Sequence, residues 1–222
     1  ILFNILGAIF AEENQLDEAV KNYKKATTLN PKYAQAYNNL GTALQKLKKI
    51  NDAVDCYKKA LSLKEDFAEA YNNLGIANRV IGRLDEAAKN IDKALSINPN
   101  FVSAANCRGL LYQDINQQED AIKFYEKALQ LDSNFVDAIN NIGLVYREKN
   151  QIKDAIKSFE KAIKLNPNFA NAYYNLIHGI KEYRATDKQI KTIHSLLSSS
   201  NLHQDDRIVL IFTLAKANEV LG

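Results

Sequence analysis

Gly7, Gly41, Gly75, Gly109 and Gly143 stand 34 residues apart, and few folds tolerate so regular a step. Two alanine series keep the same interval: Ala19, Ala53, Ala87, Ala121 and Ala155, then Ala26, Ala60, Ala94, Ala128 and Ala162. Between them falls a large residue every time, namely Tyr23, Tyr57, Ile91, Tyr125 and Phe159. A unit of this length cannot bury its apolar face alone and must stack on its neighbours. Five units in phase therefore predict a repeat architecture.

Each unit reads as two helices. In the second unit Tyr37, Leu40, Gly41 and Leu44 form an i, i+3, i+4, i+7 stripe, and Ala53, Cys56, Tyr57 and Ala60 form the stripe of the partner helix. The missing side chain at Gly41 lets the two helices come close. Acidic residues recur at the start of the second helix (Asp17, Glu18, Asp52, Asp85, Glu86, Glu119, Asp120, Asp154), and Lys25, Lys59, Lys93, Lys127 and Lys161 recur toward its end. Both placements suit the helix macrodipole. Pro31, Pro99 and Pro167 stop alternate second helices, because the residue before proline is pushed out of the α region. Glu65 and Ser133 hold the same place elsewhere, so proline is not required. With three prolines and eight glycines in 222 residues, an all-α chain is expected.

These residues resemble the tetratricopeptide repeat, in which a large aromatic, Leu-Gly, then Ala, an aromatic, Ala and Pro recur within 34 residues. Tyr37, Leu40, Gly41, Ala53, Tyr57 and Ala60 carry the likeness, as do Tyr71, Leu74, Gly75, Ala87, Ala94 and Pro99. The fourth unit departs, with Ala105 for the aromatic and Arg108 for the leucine, and looser packing is expected there. The resemblance implies a right-handed superhelical solenoid of antiparallel helix pairs. Residues 1–183 read as tandem repeats, five in phase plus the first helix of a sixth. Residues 184–222 read as a divergent helical capping segment ending in a truncated repeat. There Ile177 replaces glycine, a helix is expected near Asp187 to Ser198, a turn at Ser198 to Asn201, and a further first helix begins at Asp205 and Asp206. With no methionine, even at residue 1, the chain is expected to lack its natural start, and a repeat cut at both ends suggests a window from a longer array.

Asn39 lies about 200° around its helix from the core stripe, on a side it shares with Gln35, Thr42 and Lys46. In stacked helical pairs that side lines the concave binding surface. The equivalent residues are Ile5, Asn39, Asn73, Cys107, Asn141 and Asn175. An asparagine amide offers donor and acceptor together, so a row of them can grip successive peptide groups whatever the side chains. The row resembles the asparagine ladder in the repeats of O-linked N-acetylglucosamine transferases, which implies peptide-backbone contacts at Asn39, Asn73, Asn141 and Asn175. Ile5 and Cys107 interrupt it. The alternative is a row of solvated residues inherited from a repeat consensus. Asn38, Asn72, Asn106 and Asn140 fall only about 100° from the core stripe and are expected to lie near the edge between neighbouring repeats and to hydrogen-bond locally, with contact to a ligand as the alternative. On this reading, replacing Asn73 and Asn141 by alanine weakens binding and leaves stability nearly unchanged.

Lys46, Arg79, Arg147 and Lys181 complete the candidate peptide-binding set, among Glu69, Asp137, Glu148 and Glu182. That mixture of signs, with a net charge of +3, disfavours a nucleic-acid track. His178, His194 and His203 lack metal-ligand spacing, and no phosphate-binding glycine motif occurs. No metal, cofactor or catalytic residue is expected. Cys56 and Cys107 form no disulfide framework, and reduced thiols point to a cytoplasmic protein. The apolar opening ILFNILGAIF lacks a basic leader and is far short of a membrane span.

The expected function is a non-catalytic module that binds an extended peptide or protein segment. Two alternatives stand beside it. Residues from Asp187 onward resemble the junction between such repeats and a sulfotransferase domain, which implies a substrate-recognition arm of a larger sulfotransferase or glycosyltransferase. Exposed end repeats could instead make a self-associating scaffold, a homo-oligomer.

Overall fold

The computed structural model describes residues 1–181, 183–199 and 202–221. Glu182, a candidate groove carboxylate, and Ser200 and Asn201, half of the expected turn, lie outside the described residues, as does Gly222. Thirteen helices and no strand occur among the described residues. They fall in two compact units, Ile1–Ile115 and Asn116–Gly222, divided between the two helices of the fourth repeat.

The first unit holds α1 (Leu2–Glu12), α2 (Leu16–Leu29), α3 (Ala34–Lys46), α4 (Ile50–Leu63), α5 (Ala68–Val80), α6 (Leu84–Ile97) and α7 (Val102–Asp114). α1 pairs with α2, α3 with α4 and α5 with α6, and each second helix packs on the next first helix. Glycine governs the pairing: a Cβ on Gly41 would stand 2.6 Å from Tyr57 Cε1, and one on Gly7 2.7 Å from Tyr23 Cε1. The ring thus lies flush on bare backbone, and Tyr57, Ala53 and Ala60 are buried. Burial leaves the Tyr57 hydroxyl needing a partner. It donates to Gln45 Oε1 at 3.0 Å.

The turn inside each pair follows the same period. Asn14, Lys48, Gly82, Asn116 and Asn150 all have positive φ, between 59° and 78°. The residue after Asn14, Lys48, Gly82 and Asn150 returns its N–H to the first helix, as Lys49 does to Leu44 O at 2.9 Å and Gln151 to Tyr146 O at 2.8 Å. This is the Schellman ending, which favours glycine or asparagine at the left-handed residue. The second helices stop at Leu29, Leu63, Ile97, Leu131 and Leu165, with or without a following proline. Asn30, Asn98, Asp132 and Asn166 each accept a bond from the N–H two residues on, at 3.0–3.2 Å, which turns the chain. The acidic residues do sit in the first turns of these helices, but Lys25, Lys59, Lys93, Lys127 and Lys161 precede the last turn. Their coupling to the macrodipole is correspondingly weak.

Arg108, the odd residue of the fourth repeat, is accommodated rather than expelled: Nε lies 2.9 Å from Asp92 Oδ1, and the guanidinium lies over the Tyr112 ring. Ala104 and Ala105 beside it are fully buried.

The second unit holds α8 (Gln118–Leu131), α9 (Val136–Glu148), α10 (Ile152–Leu165), α11 (Ala170–Ile177), α12 (Asp187–Ser198) and α13 (Gln204–Leu221). α9 and α10 repeat the glycine contact, with Gly143 against Phe159. α11 is short, and Ile177, buried where glycine was expected, lies in one core with Ile193, Leu210 and Ala217. After it, Thr186 and Gln189 form a capping box that starts α12 at Asp187, as the sequence predicts. α13 departs from expectation. Instead of opening a further repeat it packs on α11, burying Leu210, Thr213 and Ala217, while Ile193 of α12 joins the same core.

Candidate functional site

In the first unit the first helices α3 and α5 carry Gln35, Asn39, Asn73, Lys46 and Arg79. In the second, α9 carries Asn141 and Arg147, α11 carries Asn175, and Lys181 follows α11. Gln35, Lys46 and Lys181 are exposed, and the four asparagines and two arginines are half-buried. Ile5 is exposed and Cys107 is buried, so neither continues the row as an accessible amide.

The two asparagine rows are one device. Asn73 Nδ2 donates to Asn38 Oδ1 at 3.1 Å, Asn39 Nδ2 to Asn4 Oδ1 at 3.2 Å, and Asn175 Nδ2 to Asn140 Oδ1 at 2.9 Å. In each pair the half-buried asparagine of one repeat reaches back to the buried asparagine of the repeat before, 35 residues earlier. The acceptors are almost closed to solvent, with Asn38 6% and Asn140 5% exposed. Asn38 and Asn140 thus bond not locally but to the repeat that follows. The row on the face is held in place by these bonds. Asn39 is pinned further, because Gln35 Nε2 donates to its Oδ1 at 3.0 Å.

One acceptor is stranded. Asn72 is 3% exposed and its Oδ1 has no hydrogen-bond partner. The residue 35 positions later is Cys107, where the other pairs have an amide donor. A thiol is a weak donor by comparison.

The same 35-residue offset reappears with charge. Arg79 Nε and Nη2 bind Asp114 Oδ2 and Oδ1 at 2.5 and 2.9 Å, a two-pronged pair between α5 and α7. Arg79 is therefore engaged in linking repeats. Sequence reasoning missed Asp114, Asn4 and Gln45. A search at one repeat plus one residue finds the first two. Arg147 lies against Gly179, where a Cβ would overlap its Nη1.

Burial, then Asp55 and Asp52, push the Cys56 thiol up to about 11, so it stays protonated near neutral pH. Burial likewise lifts the Tyr57 hydroxyl to about 12. His178 is exposed, stacks on Tyr174 and meets the Phe212 carbonyl at 3.1 Å, and His203 Nδ1 accepts the Asp205 N–H at 3.2 Å. Among the described residues no group of three His, Cys, Asp or Glu side chains could hold a metal ion, and no helix is long and apolar enough to cross a membrane.

Comparison with known proteins agrees with the repeat geometry. The TPR repeat model matches residues 7–48, 112–147 and 143–176, and the tetratricopeptide repeat model matches residues 34–67 and 68–101. The crystal structure of MamA is 30% identical, covers 74% of this chain and 96% of its own, and superposes with a TM-score of 0.60. YrrB, described as a TPR protein with an unusual peptide-binding site, is 23% identical over 78% of this chain and 89% of its own, with a TM-score of 0.56. PilW, a type IV pilus biogenesis factor, shares the fold over 100% of this chain and 97% of its own, at 19% identity and a TM-score of 0.74. No curated protein is matched. These likenesses do not support the sulfotransferase association expected from residues 187–222. What they share with the glycine contacts, the alanine series and the 34-residue turns is one pattern, and the chain belongs to the tetratricopeptide-repeat family.

Proposed function

We propose that this chain is a non-catalytic interaction module whose first-helix faces hold an extended protein segment by its backbone. The observation that carries the reading is the fixed row of half-buried amides. Asn73 commits one N–H to Asn38 and keeps a second N–H for a ligand. Holding the side chain in place beforehand reduces the ordering cost on binding. Asn39 and Asn175 are held in the same way, and Lys46 and Lys181 add exposed positive charge beside them. Amides that read the backbone give affinity without dictating sequence, which suits a scaffold.

The test is selection of binders from a random peptide library on the whole chain, followed by titration of a selected peptide against variants. Thr42→Trp fills the face next to Asn39 without touching an inter-repeat bond between asparagines. It is expected to abolish binding, and Asn39→Ala to weaken it. Selected peptides that bind Thr42→Trp and Asn39→Ala as tightly as the parent would sink the proposal.

A further inference from the structure

In the second unit α10 and α12 wall a cleft of about 350 Å³, a volume within the range of small-ligand sites. Lys164 lines it from α10, Lys188 and Thr192, one turn apart, line it from α12, and Tyr173 lines it from α11. Tyr173 is 1% exposed, so the cleft reaches down to the core, while Lys164 and Lys188 are exposed, so it opens to solvent. Ile163 and Pro167 give it an apolar side.

The uncharged polar groups of the cleft are already engaged. The Tyr183 side chain stands between the same two helices: its hydroxyl donates to Glu160 Oε1 at 3.1 Å and accepts from Gln189 Nε2 at 3.0 Å. Gln189 Oε1 in turn accepts the Thr186 N–H at 2.9 Å. Thr192 donates to the Lys188 carbonyl at 2.9 Å and shares a hydrogen bond with the Tyr173 hydroxyl. The ammonium groups of Lys164 and Lys188 are different. Among the described residues neither has a hydrogen bond or an ion pair. The lining therefore sets two positive charges against the single carboxylate of Glu160, which Tyr183 holds. Two ammonium groups beside an apolar wall suit a ligand that brings its own negative charge, because charge-assisted hydrogen bonds are the strong ones and a lysine head can turn to meet carboxylate or phosphate oxygens.

We propose that this cleft binds a small organic anion, its carboxylate or phosphate held between Lys164 and Lys188 and its apolar body resting on Ile163 and Pro167. None of the asparagines of the row lines the cleft, so this site and the peptide-binding face stand or fall separately.

Titration of the whole chain with phenyl phosphate, benzoate and inorganic phosphate, followed by amide chemical shifts, tests this. Phenyl phosphate or benzoate is expected to saturate a single site, with shifts centred on Lys164, Tyr173 and Thr192. Saturation by the first alone supports a phosphate headgroup, and by the second alone a carboxylate. Lys164→Gln and Lys188→Gln are each expected to weaken binding about tenfold, the loss of one charge-assisted bond. Both residues are exposed, so the fold survives, and circular dichroism checks it. Lys191→Gln removes the same charge from α12 outside the cleft and is expected to change binding little. No saturable shift with any of the three compounds overturns the proposal. Equal weakening by Lys191→Gln and Lys188→Gln overturns it in favour of general attraction to positive charge. Inorganic phosphate binding as tightly as phenyl phosphate overturns it too, since the apolar wall then takes no part.

Discussion

Replacing Asn73 by alanine separates a residue that merely faces a ligand from one that also ties repeats together. The change removes the amide that donates to Asn38 Oδ1 at 3.1 Å, and Asn38 is 6% exposed, so no water replaces the donor. A buried acceptor left without a partner costs about 1–3 kcal/mol. Against this, alanine is the better helix former by roughly 0.5 kcal/mol in the middle of α5. The net expectation is a loss of about 0.5–2.5 kcal/mol. In an Asn38→Ala background the acceptor is gone, so only the helix term remains, and the same substitution is expected to stabilise. Urea unfolding followed by circular dichroism gives both numbers, with an unchanged slope checking that compactness is unaffected. The sign of the effect should reverse between the two backgrounds. If Asn73→Ala is equally harmless, or equally harmful, in both, the bond contributes nothing and the pair is incidental. This expectation replaces the one drawn from sequence, in which the asparagines of the face could be removed without loss of stability.

Three further substitutions probe other parts of the fold. Cys107→Asn should give the stranded Asn72 Oδ1 a donor and raise the urea midpoint, a gain of about 1 kcal/mol; a lower midpoint would mean that site has no room for an amide. Lys48 holds φ at 61°, a conformation costly to side chains, and Lys48→Gly is expected to stabilise by about 0.5 kcal/mol in the same assay, with a loss counting against strain at that turn. Ala87 is fully buried, so Ala87→Leu should overpack the α5 and α6 pair and cost about 1–3 kcal/mol; thermal unfolding no easier than the parent's would mean the repeat register is misassigned.

The helix pairs were legible because their causes recur. Gly41 and Tyr57 are sixteen residues apart in sequence and touch in the fold, and the same juxtaposition returns as Gly7 with Tyr23 and Gly143 with Phe159. The helix near Asp187 was legible in outline, and the Thr186–Gln189 capping box that starts it went unnoticed although its signal is local. The positive-φ series from Asn14 to Asn150 was overlooked because one of its members is lysine, a residue that does not announce a turn. The role of α13 was hidden for a different reason. It packs on α11 in one core with Tyr173 and Ile177, a pairing set by the partner helix and not by α13 alone. The candidate site was half legible. Position around the helix placed Asn39 and Asn73 on one face, but an offset of one repeat plus one residue is invisible to a search at 34, so their buried partners went unpaired.

That offset also limits how such an array can be recombined. A bond between Asn73 and Asn38 crosses the junction between two repeats, so excising or transplanting a single repeat cuts one such bond at each end. The recipient must then carry asparagine at both matching places, or a buried carbonyl is left bare, as already happens where Cys107 follows Asn72. Repeats of this chain are therefore exchangeable only with neighbours that keep both letters of the doublet. The cheapest duplication is one that copies two or more consecutive repeats together.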